Sequence, residues 1–123
     1  MQFLEKSMKT YVFDIDGTIC KKEDNQNYEQ SLPIISRISI INSLYDKGNT
    51  IIFHTARGMG RYKNNIEKAK SDFYDLTVKQ LHSWGVKYHG LFLGKPSGDI
   101  YVDDKGQSDK IFFRYFKEDK NRD

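Results

Sequence analysis

Apolar and polar residues follow two different rhythms along this chain, and each change of rhythm marks an element. Lys9 to Asp14 is a short apolar run around Tyr11, Val12 and Phe13, and reads as a first strand. Lys21 to Ser31 is charged and rich in Asn and Gln, and reads as a loop. Pro33 suits a helix start, and Ile34, Ile35, Ile38, Ile41, Leu44 and Tyr45 then recur at helical spacing until Gly48, placed as a C-cap glycine. Asn49 to His54 reads as a second buried strand with Thr55 at its tip. Ala56 to Tyr62, with two glycines, reads as a loop. A helical pattern with room for one break runs from about Asn64 to Trp84 through Ile66, Ala69, Phe73, Leu76, Val78 and Leu81, and Gly85 closes it. Tyr88 to Leu93 reads as a third strand, and Ile100 to Val102 as a fourth that ends at Asp103 and Asp104. Ser108 caps a last helix carrying Ile111, Phe112, Tyr115 and Phe116.

Strand, helix, strand, helix, strand, strand, helix is the alternation of an α/β domain with a central, mostly parallel sheet flanked by helices. No repeat, low-complexity tract or linker interrupts it, so residues 1–123 read as one domain, with 1–7 a loose extension before the first strand.

Composition adjusts this picture in three places. Eight Phe, eight Tyr and one Trp supply a core although 30% of the residues are charged and the mean hydropathy is −0.73. Twenty Lys and Arg stand against 17 Asp and Glu. This balance suits an anionic substrate but lacks the Lys/Arg block or basic–aromatic repeat that nucleic acid demands. No stretch has the length and apolarity of a membrane span, and the first residues have no apolar h-region, so neither a membrane partner nor a secretory signal is expected. The lone Cys20 excludes an internal disulfide and suits a reducing cytoplasm; no His or Asn pattern beside it argues for a nucleophile.

The chemistry concentrates in Tyr11-Val12-Phe13-Asp14-Ile15-Asp16-Gly17-Thr18. Acids at i and i+2 leave a strand end pointing the same way. Gly17 lets the chain swing off sharply, and Thr18 can hydrogen-bond the turn. Two carboxylates at the carboxyl edge of an α/β sheet occupy the place where such sheets bind ligands. One can attack phosphorus to form an aspartyl phosphate, and the other can move protons. Thr55 and Asp103 also follow apolar strands, and Lys95 lies in a Gly-Lys-Pro loop on the same route, so all should gather along one edge.

In this order, DIDGT, HTAR, GKP and YVDD resemble the four motifs of the haloacid dehalogenase-like (HAD) phosphohydrolase superfamily, over residues 9 to 105. The resemblance implies a Rossmann-like core and a Mg²⁺-dependent phosphatase. Asp14 would then be the nucleophile and a metal ligand. Asp16 would protonate the leaving alcohol and activate water, with its backbone carbonyl on the metal. Thr55 would donate to a phosphoryl oxygen, and Lys95 would set a fixed positive charge against the phosphate and Asp14. Asp103 would complete the metal site, with Asp104 acting through water or by orienting Lys95. Adjacent carboxylates repel unless a cation sits between them, and an all-oxygen site suits Mg²⁺. Arg57, Arg61 and Tyr28 are candidates to grip the rest of the substrate; His54 reads as a packed, hydrogen-bonded histidine.

Family relatives often carry a cap domain in one of two intervals, but here one helix and a loop fill the first, and a helix pair and a strand fill the second. The chain resembles a capless member, with specificity left to short loops or to a neighbouring copy in a homo-oligomer. FHTARGM, QLHSWGVKYH and GKPSGDIYVDD resemble small phosphatases of bacterial surface-polysaccharide and sugar-nucleotide pathways, which implies a small phosphorylated substrate. Two rival readings are a nucleic-acid-end phosphatase of the polynucleotide kinase/phosphatase type and a receiver-type signalling domain. Motif order argues against the receiver, because the adjacent acids follow the Lys.

Overall fold

The computed structural model describes residues 8–22 and 27–122, with side chains as far as residue 116. The strands are β1 (Thr10–Phe13), β2 (Thr50–Thr55) and β3 (Gly90–Leu93), and the helices are α1 (Ile35–Asp46), α2 (Ile66–Ser83) and α3 (Asp109–Arg122). The three strands pair in parallel, in the order β1-β2-β3. The expected extension at residues 1–7 and part of the expected loop, residues 23–26, lie outside the described residues. The remainder of that loop includes a short 3₁₀ turn, Tyr28–Gln30.

Register decides which side chains meet. Tyr11 stands opposite Ile51, Phe13 opposite Phe53, Phe53 opposite Leu91 and Thr55 opposite Leu93. Because strand residues alternate, this set shares one face and Val12, Ile52, His54 and Phe92 share the other. The first face is the core. Phe13, Ile51 and Phe53 are buried there in one cluster with Ile38, Ile41 and Leu44 of α1, Leu81 of α2 and Phe113 of α3. All three helices contribute to that cluster, so the helical layer covers this face. On the other face Val12 is 62% exposed and Phe92 56%.

Each helix ends where its residues dictate. The buried face of α1 is Ile38, Ile40, Ile41 and Leu44, and Gly48 turns the chain out of it at φ +100°, a conformation that costs glycine little. The Asn65 side chain caps α2 by accepting the Lys68 N–H, which satisfies one of the donors a helix start leaves open. α2 then runs unbroken to Ser83, so the break allowed for by the sequence is absent. Arg37 ties α3 to the rest. Its Nη1 donates to Asp109 Oδ2 at 2.7 Å and to the Thr18 carbonyl at 3.0 Å, and its guanidinium lies over the Phe113 ring.

The expected fourth strand is not formed. Ile100 is 81% exposed and Val102 90%, and among the described residues the sheet has three strands. A three-residue run gains few ladder bonds, and here a side chain fixes the backbone differently. Tyr101 Oη donates to the Pro96 carbonyl at 2.6 Å and accepts the Gly98 N–H at 2.9 Å. That closes residues 96–101 into a loop beside the end of β3.

Phe53 is fully buried between β1, β3 and the helices. Phe53→Ala should lower the unfolding free energy by about 3–5 kcal/mol, the usual cost of deleting a buried aromatic ring, as read from urea denaturation.

Candidate active site

Parallel pairing brings the carboxyl ends of the three strands side by side, and the chain leaves each by a tight turn. After β1, Gly17 adopts φ +85°, while Thr18 and Ile19 donate their N–H groups to the Ile15 carbonyl at 3.0 and 2.9 Å. Ile15 and Ile19 are wholly buried. They anchor the turn in the core, and Asp14 and Asp16 are left at the cleft. The Lys95 N–H reaches back to the Thr55 carbonyl at 3.2 Å, continuing the β2–β3 pairing and bringing the lysine over the same place. The resulting cleft holds about 170 Å³ and is lined by Asp14, Asp16, Lys22, Tyr28, Thr55, Ala56, Arg57, Gly60, Lys95, Ser97, Gly98 and Tyr101. Asp14, Asp16, Thr55, Lys95 and Tyr28, all singled out from the sequence, are thus brought together.

Within the cleft Lys95 Nζ stands 3.8 Å from Asp14 Oδ1 and 4.5 Å above the Tyr101 ring. Burial pushes the Asp14 carboxyl above its ordinary value, with Lys95 opposing the shift. Thr55 is fully buried, and its Oγ1 accepts the Arg57 N–H at 3.1 Å. The hydroxyl proton itself is left to donate, since a hydroxyl is donor and acceptor at once. His54 is half-buried on the face away from the helices, and burial with Lys95 nearby lowers its pKa.

Arg57 does not reach for substrate as expected. It is only 1% exposed and turns inward beneath Asp16. Nε donates to Asp16 Oδ2 at 2.9 Å and Nη2 to Asp16 Oδ1 at 3.0 Å. Nη1 donates to Thr77 Oγ1 at 3.1 Å and Gln80 Oε1 at 2.6 Å, and the Tyr28 ring lies 4.8 Å from the guanidinium carbon. A buried guanidinium needs such partners, and Asp16 and α2 supply them. Arg61 is exposed and stacks over Phe73 at 5.2 Å, outside the cleft lining. Tyr28 forms the wall, its Oη accepting the Gly58 N–H and its backbone carbonyl accepting Gln80 Nε2.

Sequence reasoning missed Thr77, Gln80, Ser97 and Tyr101. A signal existed for the first two: polar residues three apart on the buried stripe of α2 need a buried polar partner. Ser97 and Tyr101 carried none, because their place follows from a loop that closes on itself.

The expected metal set is not assembled. Asp103 and Asp104 are exposed, and Asp103 Oδ1 accepts its own loop's Lys105 N–H at 2.6 Å. Without a fourth strand, nothing carries Asp103 to the sheet edge. Among the described residues no three acidic, His or Cys side chains converge to hold an ion. Of the two acids at the cleft, Asp14 faces Lys95, and each Asp16 carboxylate oxygen accepts one Arg57 N–H, which leaves the Asp16 backbone carbonyl, the ligand expected of that residue, untouched. In this arrangement the side chains present do not complete a divalent-cation site, because Asp103 and Asp104 do not join Asp14. The described residues also include no helix long and apolar enough to cross a membrane.

No family model matches the chain, and no curated protein does. Two crystal structures share its fold. One is an MCSG target from Vibrio cholerae, which is 24% identical with a TM-score of 0.79 over 91% of this chain and 99% of that one. The other is a D,D-heptose 1,7-bisphosphate phosphatase from B. bronchiseptica complexed with magnesium and phosphate. It is 15% identical with a TM-score of 0.51 over 75% of this chain, which spans about half, 52%, of that protein. At these identities the likeness is one of fold: an α/β core with a parallel sheet, as the element order predicted, and no cap domain among the described residues.

The raised pKa of Asp14 has a consequence for stability. Its folded value lies above the unfolded 3.8, so the folded chain holds this proton more tightly and the ionised carboxylate costs stability at neutral pH. That cost fades as pH falls through the folded pKa and is gone below the unfolded one. In metal-free buffer Asp14→Asn should therefore raise Tm at neutral pH, by on the order of a few degrees. The gain should vanish in scans well below pH 3.8.

Proposed function

We propose that this chain is a phosphomonoester hydrolase working through a phosphorylated Asp14. The observation that carries the reading is the convergence of Asp14, Asp16, Thr55 and Lys95 in one cleft at the carboxyl ends of parallel strands, with Lys95 Nζ 3.8 Å from the Asp14 carboxylate. Fold likeness to a sugar bisphosphate phosphatase supports it.

Two displacements at phosphorus make up the reaction. A carboxylate oxygen of Asp14 attacks, the bond from phosphorus to the ester oxygen breaks, and the departing oxygen takes a proton from the carboxyl group of Asp16. Water then attacks the aspartyl phosphate while the Asp16 carboxylate takes its proton. The Asp14–phosphorus bond breaks, inorganic phosphate leaves, and both acids return to their starting state. Lys95 faces the charge that develops on the phosphoryl oxygens, and the Thr55 hydroxyl donates to one of them.

Size and charge favour a small ester. A cleft of about 170 Å³ is smaller than the roughly 300–1,000 Å³ of sites for drug-sized ligands. Among the described residues the cations on its lining besides buried Arg57 are Lys22 and Lys95, enough for one phosphate and not for a polyanion. The proposed substrate is a sugar, polyol or amino-alcohol phosphate, with surface-polysaccharide biosynthesis the setting the sequence resemblance suggests. A magnesium requirement is a separate proposal, since a cation would need Asp103 brought to Asp14. It is tested by EDTA treatment and Mg²⁺ add-back.

Asp14→Asn should abolish phosphate release from a panel of such esters while the fold persists. Near-normal turnover by that variant would sink the covalent mechanism. Salt separates substrate classes. Hydrolysis of a sugar phosphate should change little between low and physiological salt. A preference for a 3′-phosphorylated oligonucleotide that collapses as salt rises would instead favour the nucleic-acid-end reading.

A further inference from the structure

The ion pair beneath the cleft has a geometry that a surface contact lacks. A carboxylate offers about four lone-pair sites, two on each oxygen. On Asp16, Oδ1 accepts Arg57 Nη2 at 3.0 Å and faces the Cys20 thiol at 3.5 Å. Oδ2 accepts Arg57 Nε at 2.9 Å. The buried Cys20 thiol is the donor of that contact, and it also lies 3.7 Å from the Ile15 carbonyl. Three sites are thus engaged by the protein, and one, on Oδ2, is left for a proton in transit.

Arg57 is itself held from three sides. Thr77 Oγ1 and Gln80 Oε1 accept from Nη1, the Tyr28 ring packs on the guanidinium, and Thr55 Oγ1 accepts the Arg57 backbone N–H. Thr77 Oγ1 in turn donates to the Phe73 carbonyl at 2.7 Å, which locks that acceptor to the frame of α2. A planar fork fixed in this way dictates the plane and rotamer of the carboxylate it grips.

We infer that Arg57 is a positioning residue: anchored by Thr77 and Gln80 of α2, it orients the Asp16 carboxylate so that one Oδ2 site faces the cleft. This rests on the phosphatase reading, with Asp16 as acid and base. Lysine cannot replace the fork, because an ammonium group is a point charge without two parallel donors.

An ester with a good leaving group separates this role from a merely structural one. p-Nitrophenolate departs from phosphorus without being protonated, so phosphorylation of Asp14 needs little help from Asp16. Water attack on the aspartyl phosphate still needs Asp16 as base. With p-nitrophenyl phosphate, Arg57→Lys should give a burst of nearly one p-nitrophenolate per chain, then a steady rate lower by on the order of 10²-fold. KM should fall along with the steady rate while kcat/KM stays within about threefold, since the aspartyl phosphate accumulates and the first displacement is untouched. Gln80→Met, which leaves the Asp16 contacts in place but loosens Arg57, should show the same pattern with a smaller loss, about tenfold. Added guanidinium should restore the steady rate of Arg57→Gly.

Folding of each variant is checked by its circular-dichroism melt. If folded Arg57→Lys turns over at the wild-type rate with no new burst, Arg57 is only structural and the inference falls. If Arg57→Lys does not fold, Gln80→Met decides, and an unchanged ratio of burst to steady rate there overturns it. A wild-type chain that releases no phosphate from any ester removes the phosphatase reading and this inference together. Wild-type activity with indifferent variants removes this inference alone.

Discussion

One guanidinium with almost no solvent around it sets the terms for the rest of this molecule. Arg57 sits where the turn after β1, the turn after β2, the wall at Tyr28 and the buried stripe of α2 meet, and it bonds to each. Buried ion pairs add little net stability, because desolvation offsets their attraction. What such a pair imposes is position, since removing either partner leaves the other charged and dry. Asp16 therefore cannot drift, Tyr28 cannot leave the wall without uncovering a cation, and α2 must dock in one rotation about its axis. The close fit of Phe73 against Gly58, whose φ is +78° and where a Cβ would meet the ring at 2.7 Å, fixes that docking from the other side of the turn.

Most of the architecture was legible in the sequence. Ile38, Ile41 and Leu44 at helical spacing, Gly48 and Gly85 past helix ends, and short apolar runs before Asp14 and Thr55 follow from local rules. The structure satisfies them within a residue or two. Ile100 to Val102 shows where local rules stop. Its composition is that of a strand, but a strand exists only through its neighbour's hydrogen bonds, and Tyr101 binds Pro96 and Gly98 instead. The site divides in the same way. Asp14, Asp16, Thr55 and Lys95 were legible because each follows a strand, and parallel strands end together. Arg57 was noticed for its charge and misplaced. A sequence gives no direction for a long side chain, and the decisive clue lay in Thr77 and Gln80, on another element.

The two faces of the sheet show how unevenly packing is distributed. On the helical side the rings of Phe13, Phe53, Phe112 and Phe113 interlock edge to face, tilted or stacked. Arg37 joins that layer to the turn carrying the acids. On the other side Val12 and Phe92 flank the half-buried Ile52 and His54. Asp14 continues the Val12 side of β1, which explains how one carboxylate can lie at the core's edge and still open to the cleft.

Purely parallel pairing also shapes how the chain comes into being. No strand here can form a hairpin with the next; Lys9 and Asn49, which flank the β1–β2 ladder, are 40 residues apart. A nascent chain leaving the ribosome thus exposes both acids long before either has a partner. Asp16 waits for an arginine 41 residues downstream, and that arginine waits for Gln80, 23 residues further. The cleft is consequently a late product of synthesis, closed only once α2 has emerged and wrapped back. Any cellular factor that shelters unfinished chains would meet this one with its acids still bathed in water.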